Sequence, residues 1–369
     1  MKLEENEERL LRACLSSDAQ FLKSFRAWES IADLDALNSG AVRLIPFLKT
    51  RLDKHSIYTE LENKLNGIYR FFWAKRQVQQ VAIDNCLVPM VGNHPAIALK
   101  GMALESLAYN YPELRPFDDV DLLVSRPDYF ALAALASEFG LKYSGRSPER
   151  STVYLRHAKS YIAQNLEVDI HWTAIPTSSD HNFEYRMLSR AKQGLLSNLP
   201  FLTPDPTDCL LHTVLHGNRD NSVSPVRWYL DAYLLIERNS INWEQFWGEA
   251  QKIGLVRQAK KGLQRLNDLM GYDFAEVLHA PGGLRGFIGF SPARLPALMK
   301  HGLTAGKWVH LLRLVGSDVV VVRKALAMDG GRSGLLPAYV TAYVESFHEV
   351  KALLKNHSSM ALFRNSWTE

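Results

Sequence analysis

Hydrophobic positions along this chain recur with two rhythms. Between Ile57 and Ile83, in IYTELENKLNGIYRFFWAKRQVQQVAI, Leu61, Leu65, Ile68 and Phe72 return every three or four positions, the period that places apolar side chains on one face of a helix. The section up to Asn85 holds no extended alternating run, so it is read as wholly helical.

From Leu87 to Leu202 the rhythm changes. AIALKG, Ala96 to Gly101, is a short apolar run ending in glycine, and MALESLAYNY after it has helical propensity. In RPFDDVDLLV, Arg115 to Val124, the residues Val120, Leu122 and Val124 alternate with Asp119, Asp121 and Leu123, which predicts a strand. SRPDYFALAALASEFG predicts a helix opened by Ser125, with Pro127 in the first turn, Tyr129, Leu132, Ala133 and Ala136 on one face and Gly140 as its stop. STVYLRHAKSYIA and NLEVDIHWTAI read as two further strands, joined as a hairpin through Gln164 and Asn165. NLPFLTPDPTDC, Asn198 to Cys209, has the proline and short polar residues of a linker. Helical patterns resume in LLHTVLHG, PVRWYLDAYLLIER, NWEQFWGEAQKIG and LVRQAKKGLQRLNDLMG, and two glycine-rich stretches, Ala280 to Pro296 and MDGGRSGLLP, break the later part. The predicted fold class is α+β: a helical N-terminal region over 1–86, a mixed-sheet α/β core over 87–202 and a helical C-terminal region over 203–369.

A chain of 369 residues exceeds one small core and predicts two or three domains. The net charge of +4 neither demands nor excludes a nucleic-acid partner, while the lack of a compact basic tract argues against long nucleic acid. Cys14, Cys86 and Cys209 have no paired metal-ligand spacing and read as buried thiols of a reducing, cytoplasmic compartment. The opening MKLEENEERLLRACL is acidic where a secretory signal is basic and then apolar, so export is not expected. In WVHLLRLVGSDVVVVRKAL, Trp308 to Leu326, the charges Arg313, Asp318 and Arg323 break the run short of the roughly 18 apolar residues of a membrane span. No transmembrane segment is expected, and this stretch is read as a core helix with a turn at Gly316 and Ser317.

Strand parity decides what the acidic residues can do. Asp119 and Asp121 are two apart and share a face, whereas Asp118 points away or belongs to the preceding turn. In LEVDIHW, Leu166, Val168, Ile170 and Trp172 fill one face and leave Glu167, Asp169 and His171 on the other. If the two strands are neighbours, Asp119, Asp121 and Asp169 converge, and carboxylates so placed repel one another unless a cation neutralises them. Oxygen ligands of this kind suit Mg2+ or Mn2+. The same acids also fit the solvent-facing edges of half-buried strands, and spacing alone does not separate the two readings. Lys100 and Gly101 stand at a strand-to-helix junction, where free backbone N–H groups can hold a phosphate chain and a glycine permits its close approach.

Taken in order, ALKGMALESLAY, RPFDDVDLLV and LEVDIHW resemble the nucleotidyltransferase superfamily that includes DNA polymerase beta, most closely its bacterial branch of uncharacterised nucleotidyltransferases. The resemblance is strongest from Ile97 to Trp172 and extends more loosely to Trp243. It implies a nucleotidyltransferase-like core in which Gly101 opens the helix, Asp119 and Asp121 are the catalytic metal-binding pair and Asp169 is the third catalytic carboxylate. Met102 departs from the pattern, standing where many members have a second glycine or a serine. The implied reaction moves a nucleoside monophosphate from a nucleoside triphosphate, ATP being the expected donor, to an acceptor with release of pyrophosphate, assisted by Mg2+ or Mn2+. Small molecules, protein side chains and RNA ends all fit as acceptors. Two rivals are a nucleotide- or protein-binding module without chemistry, which the altered residue 102 favours, and a hydrolase using the same carboxylates, which the glycine turn suits less.

Other residues are candidates for the surroundings of the site. Lys100 and Arg115 are nearest for phosphate, Arg115 through the bidentate geometry of its guanidinium; its alternative is an ion pair with Asp118 or Glu113. Lys159, alternating with His157, is a further nucleotide-binding candidate. His171 either orders a carboxylate, touches substrate or is hydrogen-bonded in the core. His212 and His216 lie one helical turn apart, a metal-pair spacing without a third ligand at a diagnostic distance, and are read as packing or acceptor-pocket residues. Arg227 and Asp231, four apart, are read as an intrahelical ion pair or as a border of the acceptor pocket. Trp228, Trp243 and Trp247 are expected to pack helices.

Overall fold

Apolar periodicity and bonded polar residues together build the helices that precede the sheet. In this computed structural model the residues described are 3–270, with breaks at 93, 110, 144–156, 165, 177, 179, 181, 194–200 and 219–225. The first helices are α1 Glu5–Leu15, α2 Asp18–Glu29, α3 Ile45–Lys54, α4 Glu62–Ala82 and the single turn α5 Val88–Val91. On α4 the predicted Leu65 and Phe72 are buried, Ile68 is half-buried, and the buried face continues through Arg76 and Gln79. Those two polar side chains are satisfied: Arg76 donates to both carboxylate oxygens of Glu105 at 2.8 and 3.1 Å, and Gln79 donates to the Phe117 carbonyl at 2.9 Å. Buried polar groups of this kind are tolerated because each has a partner.

The strands are β1 Ala96–Leu99, β2 Asp119–Val124, β3 Leu141–Tyr143, β4 Ala158–Ala163, β5 Leu166–His171, β6 Lys192–Gln193 and β7 Leu202–Thr203, in the order β3-β4-β5-β2-β1-β7-β6. β2 is central, antiparallel to β1 and parallel to β5. Val120, Leu122 and Val124 of β2 and Leu166, Val168 and Ile170 of β5 are fully buried, so the alternation in both sequences does set one apolar face. β4 and β5 are adjacent in the sheet, with Gln164 between them at φ 55°.

α6 Lys100–Ala108 follows β1 directly and is buried almost all round. α7 Arg126–Leu135 is capped as predicted, the Ser125 hydroxyl accepting from the Asp128 amide at 3.2 Å, with Pro127 in the first turn. It ends at Leu135, ahead of the expected stop: Gly140 belongs to the turn into β3, where φ is 77° and a side chain is disfavoured. After α8 Phe183–Arg190 come α9 Pro206–Gly217, α10 Val226–Arg238, α11 Trp243–Lys252 and α12 Val256–Met270. α9 and α10 pack on each other and on α6, and α1 packs on α10. The fold is therefore a mixed α+β arrangement with a central sheet flanked by N-terminal and C-terminal helical regions.

The three cysteines are buried and free, and burial pushes the thiols of Cys14 and Cys209 up to about 12. Among the described residues no helix is long and apolar enough to cross a membrane. The chain divides into two units, residues 1–145 with 159–287, and residues 146–158 with 288–369. Apart from residues 157 and 158, every described residue belongs to the first. The segment Trp308 to Leu326 and both glycine-rich stretches lie outside the described residues.

Candidate active site

Parallel pairing of β2 with β5 places Asp119 opposite Glu167, Asp121 opposite Asp169 and Leu123 opposite His171. Residues at paired positions of neighbouring strands point to the same face, so Asp121 and Asp169 come together, whereas Asp119 is paired with Glu167. Asp121, 1% exposed, accepts from Lys100 Nζ at 2.5 Å and is bonded to His171 Nε2 at 2.8 Å. Asp169 accepts from the Ser160 hydroxyl at 2.5 Å. One ligand atom from each of Asp121, Asp169 and His171 lies within 4.8 Å of the other two. Asp119, half-buried at the start of β2, feels the charges of Asp121 and Asp169 and lines the adjoining cleft.

The acids and Lys100 shift one another's charge. Burial and then the charge of Asp121 push the Asp119 carboxyl above the usual range, with Lys100 opposing. Burial also disfavours charge on Asp121, but Lys100 and His171 outweigh it and hold that carboxyl well below the usual range. Burial likewise works against the Lys100 ammonium, and the surrounding Asp121, Asp119 and Asp169 outweigh it and hold the lysine above its ordinary value. The donor set fits a divalent cation: two carboxylates and an imidazole converge, a third carboxylate adjoins them, and a lysine sits within them as counter-ion.

Lys100 reaches Asp121 because of the turn that it makes. β1 ends at Leu99, paired with Asp121, and Lys100 then adopts φ 46°, the left-handed region that costs a side-chain-bearing residue roughly 1–2 kcal/mol. At Gly101 an added Cβ would lie 2.7 Å from the Phe117 Cβ, so the glycine is required by the chain leading into β2. Gly101→Ala is expected to destabilise the fold by about 1–3 kcal/mol and to displace the Phe117–Asp119 segment; urea denaturation measures the first effect, and unchanged stability would show that Phe117 yields freely. Met102 is buried, 3% exposed, and does not line the opening beside Lys100.

That opening is a cleft of about 410 Å³, the size range of small-molecule sites. Lys100, Gly101, Phe117 and Asp119 line it on the sheet side, and His212, His216, Arg227 and Asp231 on the side of α9 and α10. Arg43 and Ser39, from the segment before α3, complete the rim. Asp118 is turned away from the acid pair, bonded to Arg43 and Lys75.

Several candidate residues have partners different from those expected. Arg115 does not fold over the carboxylates, nor does it pair with Asp118 or Glu113: its Nε and Nη2 donate to the two oxygens of Asp231 at 2.6 and 2.8 Å, in a buried pair. Tyr109 Oη donates to the same Asp231 at 2.7 Å. Burial works against charge on Arg115, and Asp231 outweighs it, holding the guanidinium above its ordinary value. Asp231 is thus taken, and among the described residues Arg227, its expected helical partner, bonds the Pro116 carbonyl instead, Nη1 to O 3.2 Å. Burial, then Arg115 and Arg43, push Arg227 down to about 9. Lys159 misses the acid face by parity: Tyr161 and Ala163 on its side of β4 are buried, and its ammonium lies 4.3 Å from the Tyr143 ring centroid. The residue that does face Asp169 is Ser160, whose parity follows from its place two residues from Ala158 and Ile162. His212 and His216 lie with ring centroids 5.7 Å apart and planes tilted by 33°, and the described residues bring no third metal-ligating group to them. Trp228 packs over Gly217 and stacks on Tyr229 at 4.1 Å, as a packing role requires.

A family described as uncharacterised nucleotidyltransferase matches residues 40–271, more than half of the chain. The chain belongs to that family, within the broader polymerase beta-like superfamily. Its span takes in the sheet, the acidic centre and α9 to α12. No curated protein matches the chain.

Proposed function

With membership of this family as the premise, we propose that the protein is an active, metal-dependent nucleotidyltransferase of the bacterial branch, using a nucleoside triphosphate, ATP first among them, to modify an acceptor. The observation that carries the reading is the meeting of Asp121, Asp169 and His171 on one sheet face, with Asp119 beside them in a cleft that the first residues of α6 also line. A divalent cation, Mg2+ or Mn2+, held by Asp119, Asp121 and Asp169 with His171 alongside, would neutralise phosphate charge and activate the acceptor oxygen. Lys100 and the amides that open α6 hold the triphosphate. Ser160 orients Asp169, which takes the acceptor proton. In the transfer the acceptor oxygen bonds the α-phosphorus, the bond from that phosphorus to the oxygen shared with the β-phosphate breaks, and pyrophosphate leaves. His212, His216 and Arg227 form the acceptor wall, and the Arg115–Asp231 pair holds that wall to the strand. The three reduced, buried thiols suit a reducing cytoplasmic setting.

The test is incubation of the full chain with Mg2+, each labelled triphosphate and a fractionated lysate. The expected result is label covalently attached to one acceptor, located by mass, with equimolar pyrophosphate, and loss of both in Asp169→Asn. Tight triphosphate binding with no pyrophosphate in any fraction would instead make this a binding module.

A further inference from the structure

Four lysine or arginine side chains line the cleft, and three of them already have carboxylates: Lys100 on Asp121, Arg43 on Asp118 and Arg115 on Asp231. Arg227 differs. It bonds the Pro116 carbonyl oxygen, and among the described residues no carboxylate lies within ion-pair distance of it. It also shares the cleft with the cations that repel it. Partly buried guanidinium groups are costly without an anion, and a guanidinium facing a cavity is suited to the paired oxygens of a phosphate or carboxylate. It is borne on a different element from the residues assigned to the triphosphate. Lys100 and Gly101 belong to the start of α6, whereas Arg227 stands in the first turn of α10, with His216 at the end of α9 on the same wall.

We propose that this wall is an anion subsite centred on Arg227, and that the acceptor is therefore a small molecule bearing a phosphate or carboxylate group, seated there while its hydroxyl faces the acidic centre. The subsite itself follows from the arginine and the cavity; that its occupant is the acceptor rests on the transfer reading above. A cleft of about 410 Å³ has room for a small molecule rather than for a folded partner.

The test is equilibrium binding of inorganic phosphate by the full chain, first alone and then saturated with Mg2+ and the non-reacting analogue α,β-methylene-ATP. Phosphate is expected to bind the analogue-loaded protein. Arg227→Met should weaken that binding by about tenfold or more, the loss of one charge-assisted contact, and leave analogue affinity within about twofold. Arg227→Lys should recover part of the phosphate binding. Since no carboxylate among the described residues is paired with Arg227 and left stranded by its loss, Arg227→Met should unfold at the same urea concentration as the unaltered chain or higher, which distinguishes ligand binding from a structural role. Three outcomes overturn the proposal: exclusion of phosphate by the analogue, which would assign the arginine to the triphosphate; phosphate binding unchanged in Arg227→Met; or loss of binding accompanied by unfolding in both variants. If phosphate binds through Arg227 but the analogue does not bind at all, the anion subsite stands and the nucleotidyltransferase reading falls.

Discussion

Asp121→Asn is expected to lower the transfer rate by about a thousandfold or more, the scale on which removal of a preorganised charge at a reacting centre is felt. The substitution conserves shape and removes only the charge on which the centre is organised. Asp121 is the acid that touches both Lys100 and His171, and it is paired in register with Asp169. An amide in its place cannot balance the ammonium and leaves two carboxylates with less reason to bind a cation. Magnesium-dependent binding of α,β-methylene-ATP should therefore weaken together with the rate. Stability should fall less, because the Lys100 side chain keeps 24% of its surface in solvent and can hydrate there. Pyrophosphate release, analogue binding and urea denaturation of the same protein separate these effects. A rate near that of the unaltered chain would show that the acids are a structural cluster and that the catalytic assignment is wrong.

The largest effect on stability is expected at the other end of the cleft. Asp231→Ala should destabilise the fold by about 3–5 kcal/mol, the usual cost of leaving one member of a buried ion pair alone. Both Arg115 nitrogens and the Tyr109 hydroxyl lose their acceptor at once. The pair joins residues 116 apart in sequence, tying the segment ahead of β2 to α10, so its loss loosens the wall that carries Arg227. The double variant Arg115→Met with Asp231→Leu should recover much of the loss, since an apolar pair of similar volume needs no counter-charge. Chemical denaturation with an unchanged m-value reads the difference. If Asp231→Ala were as stable as the unaltered chain yet had lost acceptor binding, the carboxylate would belong to the ligand and not to the scaffold.

Both residues had been candidates, and they show where a linear reading stops. Parity put Asp119 and Asp121 together on one side of their strand and Asp169 and His171 together on one side of theirs, because a two-residue period is a local property of extended chain. The Ser125 cap and the buried stripe of α4 at Leu65 and Phe72 were legible for the same reason. Arg115 and Asp231 were assigned to the phosphates and to Arg227, partners close in sequence or in supposed function. Which acid an arginine meets depends on how α10 packs against the strand entry, and no local spacing encodes that.

The sequence by itself determined the strands β1, β2, β4 and β5, the apolar faces of β2 and β5, the capping of α7 and the set of acids that share strand faces, since each rests on side-chain periodicity and backbone preference within a few residues; β3, β6, β7 and α8 carried no such signal. Only the tertiary structure decided that β2 lies parallel to β5 so that Asp121 meets Asp169, that Lys100 takes the place of a counter-ion, that Phe117 fills the space above Gly101, and that Arg227 faces the cleft with no carboxylate of the described residues paired to it. These are choices among distant partners, made by burial and charge balance over the whole packed chain, where one buried pair such as Arg115 with Asp231 excludes another.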